Sequence, residues 1–505
     1  MNIFNRVSDS LYQNAVAWII ALCSFLLILW YTNYNGIGVS PDSIVYISTA
    51  RNIAASFSFT EYMGGHLVDF PVGYPAFLAI CKLLSFNDPV PIAPYLNGLL
   101  YAMLILLADR LVKTQRSIHR WNRYLLLVVL AVSPALLDIY RMLWSETLFL
   151  VLVLCFLVTI IRYLSRPTIS ALLICCIPAA LACVTRYAGI TLVGTGLVLI
   201  FFLRELSVKN KIRHLLLFGS VSVSLLAINI IRNTIVNGEA TGPREAGIVS
   251  IKTNYEFYVQ IVANWFPDHG MPVRLVLFVV SCALLFFLLN SVAPLWKKYR
   301  FGTVEHCSAT FVVVYTVFIL GISTLTHFEQ LNNRFLSPIY VPAMLVILIR
   351  LSRGLNKLHW STLSRKLIIS LCFLGLICYN FVSVRAMFSA IKDYGIPGYT
   401  DNSWQKSPTA QFLKSRPAFF KAGIPIYSNA HEGIYFLTGL KSYELPHHNN
   451  PVLVKRYFQE QLNYLVWFYQ TKDKDLLDSN TVMHRREVIG VYKFNDGSIF
   501  LLKNK

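Results

Sequence analysis

Asp42, within Ser40-Pro41-Asp42-Ser43, follows the first long apolar run of a chain otherwise poor in charge. A carboxylate at the water-facing mouth of a membrane bundle can take the proton from an attacking hydroxyl. Helix capping explains the same residues without chemistry. Ser40 can cap a helix, Pro41 suits its first position, and Asp42 in the first turn complements the dipole. Other acids compete for the role. Glu61 and Asp69 lie in the same loop, while Asp138 and Glu146 flank the turn Arg141-Met142-Leu143-Trp144-Ser145-Glu146. Glu146 also reads as a first-turn acid opening the next apolar run. Asp42, Asp69 and Glu146 are the candidate catalytic acids.

Isolated arginines form the second constellation: Arg141, Arg186, Arg232, Arg244 and Arg334, each at the edge of an apolar run. One such arginine can be a snorkelling anchor. Several on one side are a different matter, because guanidinium groups at interface depth suit the phosphate of a lipid-linked substrate. His66, close to Asp69, is a lone loop histidine that could also join a metal pair. The His447-His448 pair lacks a carboxylate or cysteine at ligand spacing and reads as loop. Asp473 to Asp478 alternates with lysine, as a solvated face does. The absence of a phosphate-cradling glycine motif argues against a soluble nucleotide donor. The ten cysteines lie in or beside apolar stretches, and no disulfide framework or metal set is readable among them. No cofactor is expected; a divalent metal is conceivable without being required.

The elements that position these residues follow from composition. Hydrophobic residues make up 55% and charged residues 14% of 505, which describes a polytopic helical membrane protein. The formal charge of +20 falls in short clusters between apolar runs, as in cytoplasmic loops. No basic, aromatic-interleaved surface is offered to nucleic acid. Apolar runs fall at 14–31, 89–112, 124–140, 145–163, 169–186, 188–203, 214–231, 273–293, 307–326, 338–351 and 367–388. The run 74–86 is short, contains Lys82 and suits an interfacial helix. Counting it as a span would scatter the basic loops over both sides. Eleven spans instead gather on one side the clusters Arg110, Lys113, Arg116, Arg120 and Arg123; Arg162 and Arg166; Arg204, Lys209, Lys211 and Arg213; Lys297, Lys298 and Arg300; and Arg350, Arg353, Lys357, Arg365 and Lys366. The N-terminus is then cytoplasmic, the first run a retained signal anchor, and the C-terminus outside.

Three outer segments matter: the loop 32–88, the loop 232–272 and a polar tail, 389–505. After Asp42, the spacing of Ile44, Ile47, Ala50, Ile53 and Ala54 predicts an amphipathic helix along the membrane surface. The tail reads as a small α/β domain, with 1–388 as the membrane domain. Its elements are a helix over 408–420, a strand over 424–428, a helix over 431–438 ending at Gly439, a strand over 464–469 and a hairpin over 487–502 turning at Asn495-Asp496-Gly497.

The set resembles the GT-C glycosyltransferases, in particular the bacterial branch related to protein O-mannosyltransferases and the aminoarabinose transferase of lipid A. The likeness is carried by Asp42-Ser43 after the first span, then Tyr46, Ala50 and Arg51-Asn52. It continues in Pro71-Val72-Gly73-Tyr74-Pro75, Trp144-Ser145-Glu146, Arg186 after a span, Asn333-Arg334-Phe335 before Pro338, and Tyr427-Ser428-Asn429 in the tail. It implies an inverting sugar transfer outside the cytoplasm, at a bacterial inner membrane. The donor would be a monosaccharide on polyprenyl phosphate, and the acceptor an envelope glycan, glycolipid or protein. Asp42 corresponds to the family's general base. Where many members carry a second acid this chain has Ser43, which leaves Asp42 a lone base. Arg141, Arg186, Arg232 and Arg334, with Asn333, His66 and Tyr74, are the substrate-binding candidates. Two other classes stay open: a lipid-linked oligosaccharide ligase or polymerase, and a flippase or transporter. The last would need charged or broken helices at mid-membrane, where Pro134 and Pro178 are mild candidates.

Overall fold

In the computed structural model, residues 3–115, 118–267, 270–296, 301–327, 329–356, 361–471 and 473–505 are described. Arg116, Lys297, Lys298, Arg300 and Lys357 of the basic clusters lie outside them. Eight helices among the described residues are long and apolar enough to cross a membrane, from Asn14–Thr32 to Lys366–Tyr394. The protein is an integral membrane protein. The run 124–140 is not one straight helix: Arg120–Ala131 and Pro134–Tyr140 meet at 49°. Pro134 has no N–H for the ladder and its ring clashes with the preceding turn, so the helix breaks there. Counted as one bent span, this pair makes nine. Two shorter apolar helices, Ile169–Thr185 and Tyr187–Phe201, occupy the runs 169–186 and 188–203.

The end of the bundle away from Asp42 carries buried ion pairs. Asp109 meets Arg123 at 2.9 Å, and Glu305 takes Arg350 and Arg353 from a neighbouring helix. Arg162 and Arg166, at the far end of the helix Glu146–Ser165, lie toward that end too.

The end that carries Asp42 is built by the helices Pro41–Ser56 and Gly73–Ser85, which pack on each other. The first differs from the expected surface helix. Ser43, Ile44, Tyr46, Ile47, Ser48, Thr49 and Ala50 are all buried, so nearly its whole circumference is covered by protein. Gly73–Ser85 covers one side and the tail helix His431–Thr438 another. Gly73 also brings its helix against the end of Ile169–Thr185: a Cβ there would stand 2.5 Å from the Val184 carbonyl oxygen.

The tail holds a five-stranded sheet: β1 Ile426–Ser428, β2 Tyr443–Glu444, β3 Leu462–Phe468, β4 Arg486–Lys493 and β5 Gly497–Asn504. The order is β2-β1-β3-β5-β4, with β2, β1 and β3 parallel and β5 antiparallel to both β3 and β4. The helix His431–Thr438 ends at Gly439 in the left-handed region, φ 77°. The short strand β2 and the helices Pro451–Gln459 and Ser479–Arg485 were not expected. One apolar core runs from the segment 37–79 into the tail, joining Ile44, Ile47, Tyr62 and Leu78 to Tyr399, Trp404, Val466 and Phe468. A second, small cluster around Leu445, Leu465 and Leu502 belongs to the tail alone.

Candidate functional site

The local fold around Asp42 fixes its direction. The backbone N–H of Ser40 donates to Ser43 Oγ at 3.0 Å, so Ser43 caps the helix at the position where a second acid would stand. Trp144 Nε1 donates to Ser40 Oγ at 2.8 Å and ties the helix start to the Arg141–Glu146 turn. Gly38 donates its backbone N–H to the Arg141 carbonyl at 3.0 Å, and its own carbonyl accepts from the Leu143 N–H at 2.9 Å. Asp42 and Glu146, about a hundred residues apart, are thereby held side by side.

Arg334, in the first turn of the helix Asn333–Asn356, bridges them. Its Nη2 lies 2.5 Å from Asp42 Oδ2, its Nε bonds Glu146 Oε1, and its guanidinium stacks 4.6 Å from the Trp144 ring centroid. Arg186, between the helices Ile169–Thr185 and Ile190–Phe201, places Nη1 at 2.6 Å from Glu146 Oε1 and donates to Ser145 Oγ at 2.7 Å. The Tyr46 hydroxyl reaches Ser145 Oγ at 3.4 Å. Two guanidiniums and two carboxylates thus share one node. The carboxylates are not equivalent: the Glu146 side chain is 1% exposed, the Asp42 side chain 26%. Glu146 is buried and engaged by both arginines. Asp42 has an open face.

The other candidates are dispersed. Arg232 is spent on the first loop, its Nη1 bonding the Leu67 carbonyl and its Nη2 donating to the Phe59 carbonyl at 2.9 Å. Arg141 pairs with Asp138 at 2.5 Å. Arg244 donates to the Asp69 backbone carbonyl at 3.0 Å, and burial pushes the Asp69 carboxyl above its ordinary range. His66 is exposed and closes a small bridge with Thr60. Tyr74 is buried with its ring edge-on to Tyr46, centroids 5.2 Å apart, beneath the node. Asn333 turns away from Asp42: its amide donates to the Ala135 carbonyl at 2.9 Å and accepts from Trp265 Nε1 at 3.0 Å. It orients Arg334 through the backbone. Among the described residues no group of three or more His, Cys, Asp or Glu could hold a metal ion.

One residue near the node is not legible in the chain order. Glu432, in the first turn of the tail helix, lies near enough to Asp42 for the two charges to repel. Burial first, then Asp42 and Asp473, push its carboxyl up to about 7. Glu61, across the same boundary, also rises to about 7, through burial and then Asp69 and Glu432. The sequence carries a first-turn acid at 432 but nothing that links it to Asp42.

Beside the node an apolar cavity of about 530 Å³ opens between the helices Gly73–Ser85, Glu146–Ser165, Ile169–Thr185 and Val208–Asn237. Its walls include Phe77, Leu152 and Leu181, with Asn229 and Arg232 as polar members. Leu148 and Thr185, which also line it, immediately adjoin the Glu146 and Arg186 turns.

No protein-family model matches this chain, and no curated protein matches it. Solved structures do. The chain is 12% identical to ArnT from Cupriavidus metallidurans bound to undecaprenyl phosphate, over 98% of both chains, with a TM-score of 0.55. For the same protein in the apo state the TM-score is 0.57 over 97% of this chain and 98% of that one. The archaeal oligosaccharyltransferase AglB from Archaeoglobus fulgidus, in complex with an inhibitory peptide and a dolichol-phosphate, matches at 12% identity and TM-score 0.54. That match covers 91% of this chain and 70% of AglB. At such low identity these likenesses establish the fold, and the fold is that of the GT-C membrane glycosyltransferases.

Proposed function

We propose that this protein is an inverting glycosyltransferase that moves a monosaccharide from a polyprenyl-phosphate donor to a hydroxyl of an envelope glycan, glycolipid or protein. The transfer takes place on the extracytoplasmic side of a bacterial inner membrane, with the tail 389–505 as an extracytoplasmic domain. The observation that carries it is the node in which Arg334 bridges Asp42 and Glu146 beside Arg186, next to an apolar cavity open to a lipid chain. That ArnT and AglB were solved with undecaprenyl phosphate and dolichol-phosphate agrees with it.

Asp42 takes the acceptor hydroxyl proton as that oxygen forms a bond to the anomeric carbon. The bond from that carbon to the phosphate oxygen breaks, and polyprenyl phosphate leaves with the electron pair. Arg334 and Arg186 meet the charge that grows on the leaving phosphate, where fixed cations in a water-poor site count most. Glu146 keeps the two guanidiniums apart and aimed. The polyprenyl chain lies in the apolar cavity.

Labelled sugar presented on polyprenyl phosphate to purified wild-type and Asp42→Asn protein tests this reading. Transfer by the wild type and its loss in the variant are expected; equal transfer removes Asp42 from the chemistry. The same assay with an oligosaccharide donor separates this reading from a ligase, and a chelator arm tests the absence of a metal requirement.

A further inference from the structure

Five of the chain's 25 acidic residues, Glu245, Glu329, Glu444, Glu460 and Asp475, line a single cleft of about 780 Å³. It lies between the tail sheet and two outer loops of the membrane bundle, and its arginines are two, Arg244 and Arg456. Among the described residues carboxyls outnumber arginines there five to two, an excess that disfavours phosphate and other anions in a chain of formal charge +20. Its size lies in the range of sites that enclose small organic groups.

The lining has more than charge. The rings of Tyr427 and Tyr443 lie 5.5 Å apart, and Tyr443 is 53% exposed. One oxygen of Glu460 accepts from the Tyr427 hydroxyl at 2.6 Å; the other is buried and accepts no hydrogen bond among the described residues. Ionised carboxylates are acceptors alone and need donors such as hydroxyls, while exposed tyrosine faces suit the C–H face of a sugar ring. Two contacts hold the walls together: His327 Nε2 with Asp475 Oδ2 at 3.1 Å, and His447 Nδ1 with Glu245 Oε1 at 3.6 Å.

The cleft wall is bonded to the node. Glu329 accepts from Asn332 Nδ2 at 2.9 Å, and Asn332 Oδ1 accepts at 2.9 Å from the backbone N–H of Arg334, which holds Asp42. A ligand seated on the tyrosines therefore shares a wall with the node that holds Asp42.

We propose that this cleft is the acceptor site, and that it takes the acceptor as an uncharged, polyhydroxylated saccharide. The inference rests on the glycosyl-transfer reading, and its test separates the two. Full-length protein in lipid nanodiscs is given labelled sugar on polyprenyl phosphate, with either the neutral or the phosphorylated glycan fraction of an envelope extract as acceptor. The wild type labels the neutral fraction. In Tyr443→Ala the half-saturating concentration of that fraction rises at least tenfold while the donor KM holds, and Tyr443→Phe, which keeps the ring, restores it. Unchanged half-saturation in Tyr443→Ala, or label passing to the phosphorylated fraction or to protein alone, overturns the acceptor assignment and leaves glycosyl transfer standing. If the wild type moves no label to any acceptor, the glycosyl-transfer reading falls.

Discussion

At Asp42 the protein sets a half-exposed acid against a guanidinium that is itself nearly buried. Replacing Asp42 by Asn keeps the volume and a hydrogen bond to Arg334 but removes the base, so transfer falls by about 10²–10⁴-fold while the protein stays folded. Sugar-transfer rates beside a thermal melt check both halves. Glu146→Ala acts differently. It strips the shared carboxylate from two guanidiniums at a sealed position and costs about 3–5 kcal/mol of stability, read as a lower unfolding temperature in detergent. Asp42, Arg186 and Arg334 were legible in the sequence because an acid after a first span and arginines at span edges break the local rule against charge. The roles within the node were not: which carboxylate is buried is decided by the Trp144–Ser40 bond and by packing, neither of which has a periodic signature. Arg141 and Arg232 look like Arg186 in the sequence, yet loop carbonyls and Asp138 occupy them.

The elements around the node are held by close approaches. Gly189 sits one turn after Arg186, where a Cβ would fall 2.3 Å from the Ala182 carbonyl carbon. Backbone atoms cannot yield as a side chain can, so Gly189→Ala shifts Arg186 away from Glu146. The expected result is loss of transfer at least as large as that of Arg186→Ala, in protein that still inserts in membranes. The long apolar helices and the tail hairpin were legible because each carries its own period or turn signal. The strand Tyr443–Glu444 was not, being two residues long and formed only by its parallel pairing with β1. The helix Pro41–Ser56 was expected at the membrane surface because its period is amphipathic. Part of the cover over it comes from a helix almost four hundred residues later.

For the whole molecule, the continuous core from the segment 37–79 into the tail makes the tail a wall of the candidate site. Trp404, with ring centroids 4.9 Å from both Tyr399 and Phe468, is central to that core. Trp404→Ala should loosen the tail at a cost of about 3–5 kcal/mol, visible as faster proteolysis between 395 and 505. Acidity should work on the same seam. Glu61 and Glu432 rise in the folded protein from an ordinary 4.5 to about 7, chiefly through burial. The folded state therefore holds their protons more tightly. Their contribution is full below pH 4.5 and is lost as the pH rises to about 7. Protection factors across the seam, exchange rates divided by the intrinsic rates at each pH, should be higher at pH 5 than at pH 8, and Glu432→Gln should flatten that difference.

The bond between Arg334 and Asp42 also bears on timing. In the proposed reaction the base is held, without substrate, by a cation that the leaving phosphate also needs. Arrival of the phosphate draws Arg334 toward itself and unlocks Asp42, so a hydroxyl that enters early meets a base already engaged. The site is an interlock, and its kinetics should be ordered, with donor first and acceptor second. In initial-rate patterns a dead-end acceptor analogue should then be uncompetitive against donor, and noncompetitive inhibition against donor would overturn the order.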